Sequence, residues 1–273
     1  MVAPRSHVGL RMRTQNKFAV ITGASSGIGF ELAKQCLEHD YDILICAEDF
    51  GLEYAVAELR ALDKGAVQRE QVDLATFEGV ERFAQTSQAQ GRGVDALLLN
   101  AGIGVGGAFV DTSLDAELKM IALNCVHMVH LAKRIVPAMV ARGKGTVLMT
   151  GSVVSTAPSP YQAIYAATKS FVMSFGEALR VELADTGVTV TVLQPGATDT
   201  NFFERADLLN TNVGQAKKDD PALVAKQGFE AMIAGKDSVV GGSFKSRMEG
   251  LMNELLPETF KAKQAAKTTK PLT

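Results

Sequence analysis

A tyrosine and a lysine one helical turn apart form the first pair of residues that could do chemistry. They lie in the segment Tyr165-Ala-Ala-Thr-Lys169, and on a helix this spacing puts both side chains on one face. A phenol is a poor acid or base at neutral pH, but a nearby ammonium group favours the phenolate. Lowering the phenol pKa by about three requires about 4 kcal/mol, which Lys169 and a second positive charge could supply in a dry pocket. The pair therefore predicts proton transfer, with an ordinary amphipathic helix as the alternative.

A glycine-rich segment, Thr22-Gly-Ala-Ser-Ser-Gly-Ile-Gly29, stands between an apolar run and a helical pattern. Glycine has no Cβ, so the backbone can turn sharply here and approach a phosphate group closely. The N-terminus of the following helix adds N–H donors and a partial positive charge. The segment therefore predicts a pyrophosphate site, with a purely structural glycine turn as the alternative.

These residues need a framework, and the sequence alternates short apolar runs with helical patterns. The apolar runs end at residues 22, 46, 72, 99, 150 and 193. Near-continuous apolar strands separated by helices indicate a parallel sheet covered on both faces. With right-handed crossovers, the predicted fold class is α/β, a doubly wound, Rossmann-type sheet with helices on both faces in a single domain. Ligands of such sheets bind at the carboxyl ends of the strands, where both motifs fall.

The composition excludes several other classes of protein. The 273 residues are 47% apolar with a net charge of −2, so the chain lacks the basic face that a nucleic-acid binder needs. Three scattered cysteines, Cys36, Cys46 and Cys125, predict neither a disulfide framework nor a zinc cage. His127 and His130 alone are weak evidence for a metal site. No apolar run is long enough to span a bilayer. We expect a cytoplasmic, globular protein with no metal, nucleic acid or membrane partner.

Three segments, taken with the tyrosine–lysine pair, resemble the short-chain dehydrogenase/reductase family in its shorter, single-domain branch. Residues 22–29 match the TGxxxGIG motif, residues 195–200 match PGxxxT, and residues 99–102 match NNAG with Leu99 replacing its first Asn. The resemblance extends from about residue 17 to about residue 240. It implies an NAD(P)-dependent oxidoreductase that transfers hydride between a nicotinamide and a carbonyl or secondary alcohol.

The resemblance also implies roles for single residues. Tyr165 would exchange a proton with the substrate oxygen, and Ser152, at the family's usual interval before it, would hydrogen-bond that oxygen. Lys169 would lower the phenol pKa and hold the nicotinamide ribose. Asn124 would hold a water that links Lys169 to solvent. The implied cofactor-binding residues are Gly23, Ser25, Ser26, Ile28, Glu48, Asp73, Leu74, Asn100, Ala101, Gly102, Tyr165, Lys169, Pro195, Gly196, Thr198 and Thr200.

The choice between NAD and NADP depends on the residue after the second strand. A carboxylate there pairs with the ribose 2′-hydroxyl and repels a 2′-phosphate. The position of the family's selecting Asp falls at Ala47, and Glu48 and Asp49 follow directly. Ser26 stands where NADP-dependent members often carry a basic residue. We therefore expect NAD rather than NADP, with Glu48 selecting it from one place beyond the usual acid.

The substrate pocket is predicted from the residues near these motifs. The candidate lid and wall residues are Phe202, Phe203, Leu208 and Leu209, and Val153, Val154, Pro158 and Tyr161. This mostly apolar set favours a small uncharged or weakly polar carbonyl or alcohol. Arg205 is interpreted as a solvated surface residue rather than a receptor for a substrate carboxylate.

The chain is expected to have one catalytic domain between two flexible ends. Residues 1–16 and the basic, Ala/Thr/Pro-rich residues 261–273 are predicted to be flexible extensions. Residues 17–260 would form the dinucleotide-binding catalytic domain, with a lid over about 201–223. The resemblance implies a homodimer or homotetramer packed through the helices that carry Asn124 and Tyr165. The alternatives are a cofactor-binding, redox-sensing or scaffold protein with little turnover, and a carbohydrate epimerase, which usually has a larger C-terminal domain.

Overall fold

The computed structural model describes residues 16–243 and 258–272. Within them, parallel strands form one seven-stranded sheet in the order β3-β2-β1-β4-β5-β6-β7. The strands are β1 Lys17–Thr22, β2 Tyr41–Ala47, β3 Val67–Gln71, β4 Ala96–Leu99, β5 Gly145–Thr150, β6 Val188–Pro195 and β7 Ser238–Gly241. The strand order reverses beside β1, so the carboxyl ends of β1 and β4 flank a crevice. The predicted α/β, doubly wound, Rossmann-type fold is confirmed.

Helices connect the strands and cover both faces of the sheet. They are α1 Gly27–Glu38, α2 Gly51–Ala61, α3 Phe77–Gln88, α4 Leu114–Ile121, α5 His127–Arg142, α6 Ala163–Glu182, α7 Phe202–Arg205, α8 Asn212–Gln215, α9 Pro221–Ile233 and α10 Glu258–Thr269. A π-turn, Ala122–Val126, joins α4 to α5, and a 3-10 turn, Val153–Thr156, precedes α6.

Each face of the sheet has its own apolar core, because successive residues of a strand point to opposite faces. Val20 of β1 belongs to the core that contains Phe83 of α3 and Leu131 of α5. Its neighbour Ile21 belongs to the core on the other face, with Phe229 of α9. All five side chains are buried. These two cores hold β1 at the centre and thereby fix the strand ends that carry the motifs.

The two edge strands depart from the sequence pattern. In β3, with the sequence VQREQ, Val67 is the one buried residue, so this strand is not the apolar run that the pattern predicts. An edge strand has a neighbour on one side only and loses less polar surface, which explains its composition. The other edge strand, β7, is absent from the predicted runs.

The C-terminal segment, predicted to be a flexible tail, contains a helix in the structure. Helix α10 covers residues 258–269, and Lys261 and Thr269 within it are buried. Lys261 Nζ donates to the Thr156 carbonyl at 2.9 Å, and Thr269 Oγ1 donates to the Pro160 carbonyl at 2.7 Å. The order of this segment therefore comes from hydrogen bonds to a distant loop, which composition does not report. Residues 1–15, also predicted to be flexible, lie outside the described residues.

Candidate active site

One open cavity lies at the carboxyl ends of the strands, as the fold requires. Every residue that the sequence predicts to bind a cofactor lines this cavity, and so do Ser152, Tyr165 and Lys169. Asn124 is the exception among the predicted site residues. It is fully buried behind the cavity wall, beside Gly102. The fold thus brings motifs that are far apart in sequence into one site.

The glycine-rich turn is tied to the end of β4. Asn100 Nδ2 donates to the Gly23 carbonyl at 3.1 Å. Thr22 Oγ1 accepts from the backbone N–H groups of Asn100 at 2.9 Å and Ala101 at 3.0 Å. Gly29 packs so closely that a Cβ there would lie 2.0 Å from the Gly23 oxygen. The turn therefore has a fixed shape with no room for a side chain at Gly29.

The first turn of α1 is available to an anion. Its N-cap Ser26 has extended backbone, the Ser26 side chain caps no N–H group, and no acidic residue stands in the first turn. A helix N-terminus presents unpaired N–H groups and a partial positive charge. Gly27 has a φ of +57°, and a Cβ there would lie 2.8 Å from Thr200 Cγ2. Thr200 thus packs against the turn, and the free donors of the helix N-terminus beside it fit the diphosphate of a dinucleotide.

Ser152 and Tyr165 both line the cavity. Ser152 follows β5 and caps the 3-10 turn: its Oγ accepts from the Val154 N–H at 3.3 Å, and its own N–H donates to Ser155 Oγ at 3.2 Å. Tyr165 lies in the first turn of α6 and lines the same cavity, where the nearby Ser152 hydroxyl acts to lower the pKa of the phenol. The 3-10 turn therefore fixes the serine hydroxyl on the same cavity wall as the phenol.

Burial controls the protonation of Tyr165 and Lys169. It raises the pKa of Tyr165 to about 12, and the nearby Ser152 hydroxyl offsets this only in part. It also lowers the pKa of Lys169 to about 8. Lys169 Nζ donates to the Thr150 carbonyl at 2.9 Å and lies 5.8 Å from the centre of the Tyr165 ring. The low phenol pKa predicted from the sequence is therefore not a property of these residues alone, because burial raises the phenol pKa by more than Ser152 lowers it.

The Asn124 side chain bonds to the loop after β4 and to α6 rather than facing the cavity. Its Oδ1 accepts from the Ile103 N–H and its Nδ2 donates to the Ile103 carbonyl, each at 2.9 Å. Nδ2 also donates to Thr168 Oγ1 at 3.0 Å, next to Lys169. Both amide hydrogens are thus used within the protein. Asn124 positions the loop after β4 against α6, and its role in holding a water stays a prediction.

The two carboxylates after β2 have different partners. Glu48 Oε2 lies 3.0 Å from Lys119 Nζ, which is also 3.6 Å from Asp73 Oδ2. Asp49 Oδ2 accepts from Ser25 Oγ at 2.9 Å, so Asp49 contacts the glycine-rich turn and Glu48 pairs elsewhere. The sequence motifs do not predict this contact. The one indication in the sequence is that Asp49 stands two places after Ala47, the position of the family's selecting Asp.

An aromatic side chain of the lid covers Tyr165. The ring centres of Phe202 and Tyr165 are 5.2 Å apart. Gly104 makes this approach possible, since a Cβ there would lie 2.6 Å from Phe202 Cζ. Of the residues predicted near the substrate, those that line the cavity are Val153, Val154, Phe202 and Phe203, and those outside its lining are Pro158, Tyr161, Leu208 and Leu209.

The two histidines of the π-turn region have local partners. His127 Nδ1 contacts the Leu123 carbonyl, and burial lowers the pKa of His127 to about 4. His130 contacts the Glu81 carboxylate. In the described part of the chain, no group of three or more His, Cys, Asp or Glu residues is arranged to hold a metal ion.

Known proteins with similar sequences identify the family. A family model described as short chain dehydrogenase matches residues 17–210, more than half of the chain. The chain belongs to the short-chain dehydrogenase/reductase family. The resemblance carried by the motifs is thereby confirmed, and the chain is an oxidoreductase of this family.

Relatives and solved structures agree with this membership. Dehydrogenase/reductase SDR family member 7B of Rattus norvegicus is 30% identical over 261 residues, which cover 90% of this chain and 79% of that protein. A short-chain dehydrogenase from Sphingobium yanoikuyae, in complex with NADPH, has a TM-score of 0.76 at 28% identity, covering 82% of this chain and 87% of that one. L-sorbose reductase from Gluconobacter frateurii, with NADPH and L-sorbose, has a TM-score of 0.72 at 26% identity, covering 85% and 97%. Among the described helices of this family member, none is long and apolar enough to cross a bilayer.

Proposed function

We propose that this protein is an NAD(P)-dependent oxidoreductase that interconverts a carbonyl group and a secondary alcohol. The observation that carries the proposal is that Ser152 and Tyr165 line the same cavity as the glycine-rich turn, with the serine hydroxyl near enough to lower the pKa of the phenol. Two hydroxyls placed in this way can both reach one substrate oxygen. Neither phosphate binding nor a structural role requires such a pair.

Tyr165 acts as the acid when a carbonyl is reduced. Its pKa of about 12 keeps the phenol protonated at neutral pH, which is the form that donates a proton to a carbonyl oxygen. Ser152 donates a hydrogen bond to the same oxygen while the Val154 N–H holds the serine in place. For alcohol oxidation, Tyr165 has to accept a proton, and this requires additional positive charge beside the phenol.

Lys169 is held near the Tyr165 ring by its hydrogen bond to the Thr150 carbonyl. One N–H of its Nζ is used by the Thr150 carbonyl, and the remaining donors can bind a ribose hydroxyl and pass a proton. When bound, a nicotinamide dinucleotide supplies or accepts the hydride, and its oxidised ring carries positive charge. The uncapped N-terminus of α1 would hold the diphosphate of this dinucleotide.

NAD is the preferred dinucleotide in this proposal. Glu48 and Asp49 put two carboxylates at the end of β2, where they disfavour a 2′-phosphate and can accept from a 2′-hydroxyl. Asp49 is the better placed of the two, because it contacts the glycine-rich turn through Ser25. The proteins from Sphingobium yanoikuyae and Gluconobacter frateurii were solved with NADPH, so a direct comparison of the two dinucleotides is the necessary measurement.

The substrate in this proposal is a small uncharged or weakly polar carbonyl or alcohol. Next to the hydroxyl pair, the cavity is lined by Val153, Val154 and the lid residues Phe202 and Phe203. Such apolar walls leave a charged substrate group without a partner, which is costly.

A homodimer or homotetramer is also proposed, packed through the helices that carry Asn124 and Tyr165. Val126 of the π-turn and Phe171 and Val181 of α6 are apolar and exposed, which supports an interface there. The cytoplasmic location stays a prediction.

The proposal is tested by titrating the purified protein with NADH and with NADPH, and by following their oxidation with a panel of uncharged aliphatic and aromatic ketones. We expect tighter binding of NADH and turnover with at least one ketone. Binding without turnover across the panel would favour the redox-sensing or scaffold alternative. Binding of neither dinucleotide would contradict the proposal.

A further inference from the structure

A positively charged side chain of the lid lies beside the glycine-rich turn. Arg205, the last residue of α7, has its Nη2 3.5 Å from Asp49 Oδ2. Asp49 is itself held by Ser25 Oγ and by the Gly51 N–H, each at 2.9 Å. The guanidinium therefore stands beside the turn that is shaped to receive phosphate, and it lines the cavity.

Arg205 differs in charge or in position from the other charged residues that line the cavity. Among the described residues that line the cavity, the charged ones are Glu48, Asp49, Asp73, Lys169 and Arg205. Lys169 is buried and donates to the Thr150 carbonyl, at the end of the cavity where Ser152 and Tyr165 lie. At the end of the cavity that the glycine-rich turn lines, Arg205 is thus the one lining cation among the described residues.

We infer that Arg205 is a ligand for a phosphate group of the dinucleotide and that Asp49 is its partner when no dinucleotide is bound. This inference rests on the proposed function. A guanidinium presents a planar fork of N–H donors that matches phosphate oxygens. Arg205 and Asp49 are both partly exposed, and ion pairs of that kind are weak, so the guanidinium is released at small cost.

The position of Arg205 on α7 connects phosphate binding to the substrate lid. Phe202, at the start of the same short helix, lies over Tyr165. A phosphate that binds Arg205 therefore also holds the segment that covers the reacting hydroxyl. The interpretation of Arg205 as a solvated surface residue is replaced by a role in cofactor binding.

The test compares Arg205→Gln with Lys119→Gln by fluorescence titration with NADH and with NADPH at about 0.05 and about 0.3 M salt. Lys119 is the matched control, since it is a similarly exposed cation that pairs with Glu48 and Asp73 but does not line the cavity. We expect Arg205→Gln to raise Kd about tenfold at the lower salt and to flatten its salt dependence. Arg205→Lys should retain part of the affinity because it keeps the charge.

The two dinucleotides identify the phosphate. A loss confined to NADPH assigns Arg205 to the 2′-phosphate, and an equal loss for both assigns it to the shared diphosphate. Unchanged Kd values in Arg205→Gln, or an equal loss in Lys119→Gln, would overturn the inference and leave the proposed function intact. If the unmodified protein binds neither dinucleotide, the proposed function fails and the inference falls with it.

Discussion

The Asn124 side chain and the Ile103 backbone form a closed pair of hydrogen bonds, each 2.9 Å long, between the π-turn and the loop after β4. This amide lies directly behind the cavity, because a Cβ on Gly102 would be 3.1 Å from Asn124 Oδ1 and 3.4 Å from Lys169 Nζ. The pair fixes the part of the cavity wall that lies beside Gly102 and Lys169.

Replacing Asn124 by Leu should destabilise the fold. The change leaves the partly buried N–H and carbonyl groups of Ile103 without their partner, so we expect the free energy of unfolding to fall by about 2 kcal/mol, measured by urea denaturation. Asn212→Leu is the control, because the Asn212 amide donates to the Lys267 carbonyl at an exposed site. Equal effects of the two substitutions would show that the Asn124 pair has no special structural role.

Protonation of Lys169 should make stability depend on pH in a defined window. Burial lowers the pKa of Lys169 from its ordinary value of 10.5 to about 8. Between these values the unfolded chain binds a proton that the folded chain does not, so the free energy of unfolding rises with pH. Relative to Lys169→Met, the natural protein should therefore gain stability between about pH 8 and 10, measured by denaturation at several pH values. A flat difference would mean that the ammonium stays charged in the fold.

A side chain at Gly29 should disrupt the glycine-rich turn. A Cβ there would lie 2.0 Å from the Gly23 carbonyl oxygen, so the backbone has to move. We expect Gly29→Ala to lose dinucleotide binding and several kcal/mol of stability. Gly91→Ala is the comparison, since Gly91 has a φ of +65° but no atom within 4 Å of its Cβ, and we expect a loss of about 1 kcal/mol from strain alone. Equal losses would show that crowding at Gly29 is relieved without cost.

The hydrogen bond from α10 to the loop before α6 can be tested with two neighbouring threonines. Thr268 and Thr269 both bond the Ala265 carbonyl, but Thr269 alone also bonds the Pro160 carbonyl. We expect Thr269→Val to lower the free energy of unfolding by about 1 kcal/mol and Thr268→Val to change it by less than about 0.5 kcal/mol. Equal effects in a denaturant titration would contradict the packing of α10.

Local patterns were sufficient to predict the framework of the site. Apolar runs followed by Gly, Asp, Asn or Pro marked the strand ends, and a parallel sheet brings its carboxyl ends to one edge. The family's motifs add the individual residues, and they assign Ser25, Asn100 and Thr200, which are far apart in sequence, to the one cavity that all three line in the structure. The pattern supplies the edge of the sheet, and the resemblance supplies the residues.

Side-chain partners could not be predicted in the same way. The contacts of Asp49 with Ser25 and Arg205 depend on how the lid folds back over the turn. The pKa of Tyr165 depends on its burial by the completed fold, which outweighs the lowering by Ser152. Both properties arise from long-range packing, and sequence spacing does not contain that information.

The most direct test of the central claim is the turnover of Tyr165→Phe. The substitution removes the hydroxyl that donates the proton and leaves the ring, so we expect kcat for ketone reduction to fall by about three orders of magnitude while Kd for NADH is unchanged. Tyr161→Phe, outside the cavity lining, should behave like the natural protein. If Tyr165→Phe retains full turnover with a ketone that the natural protein reduces, Tyr165 is not the acid and the proposed mechanism is wrong.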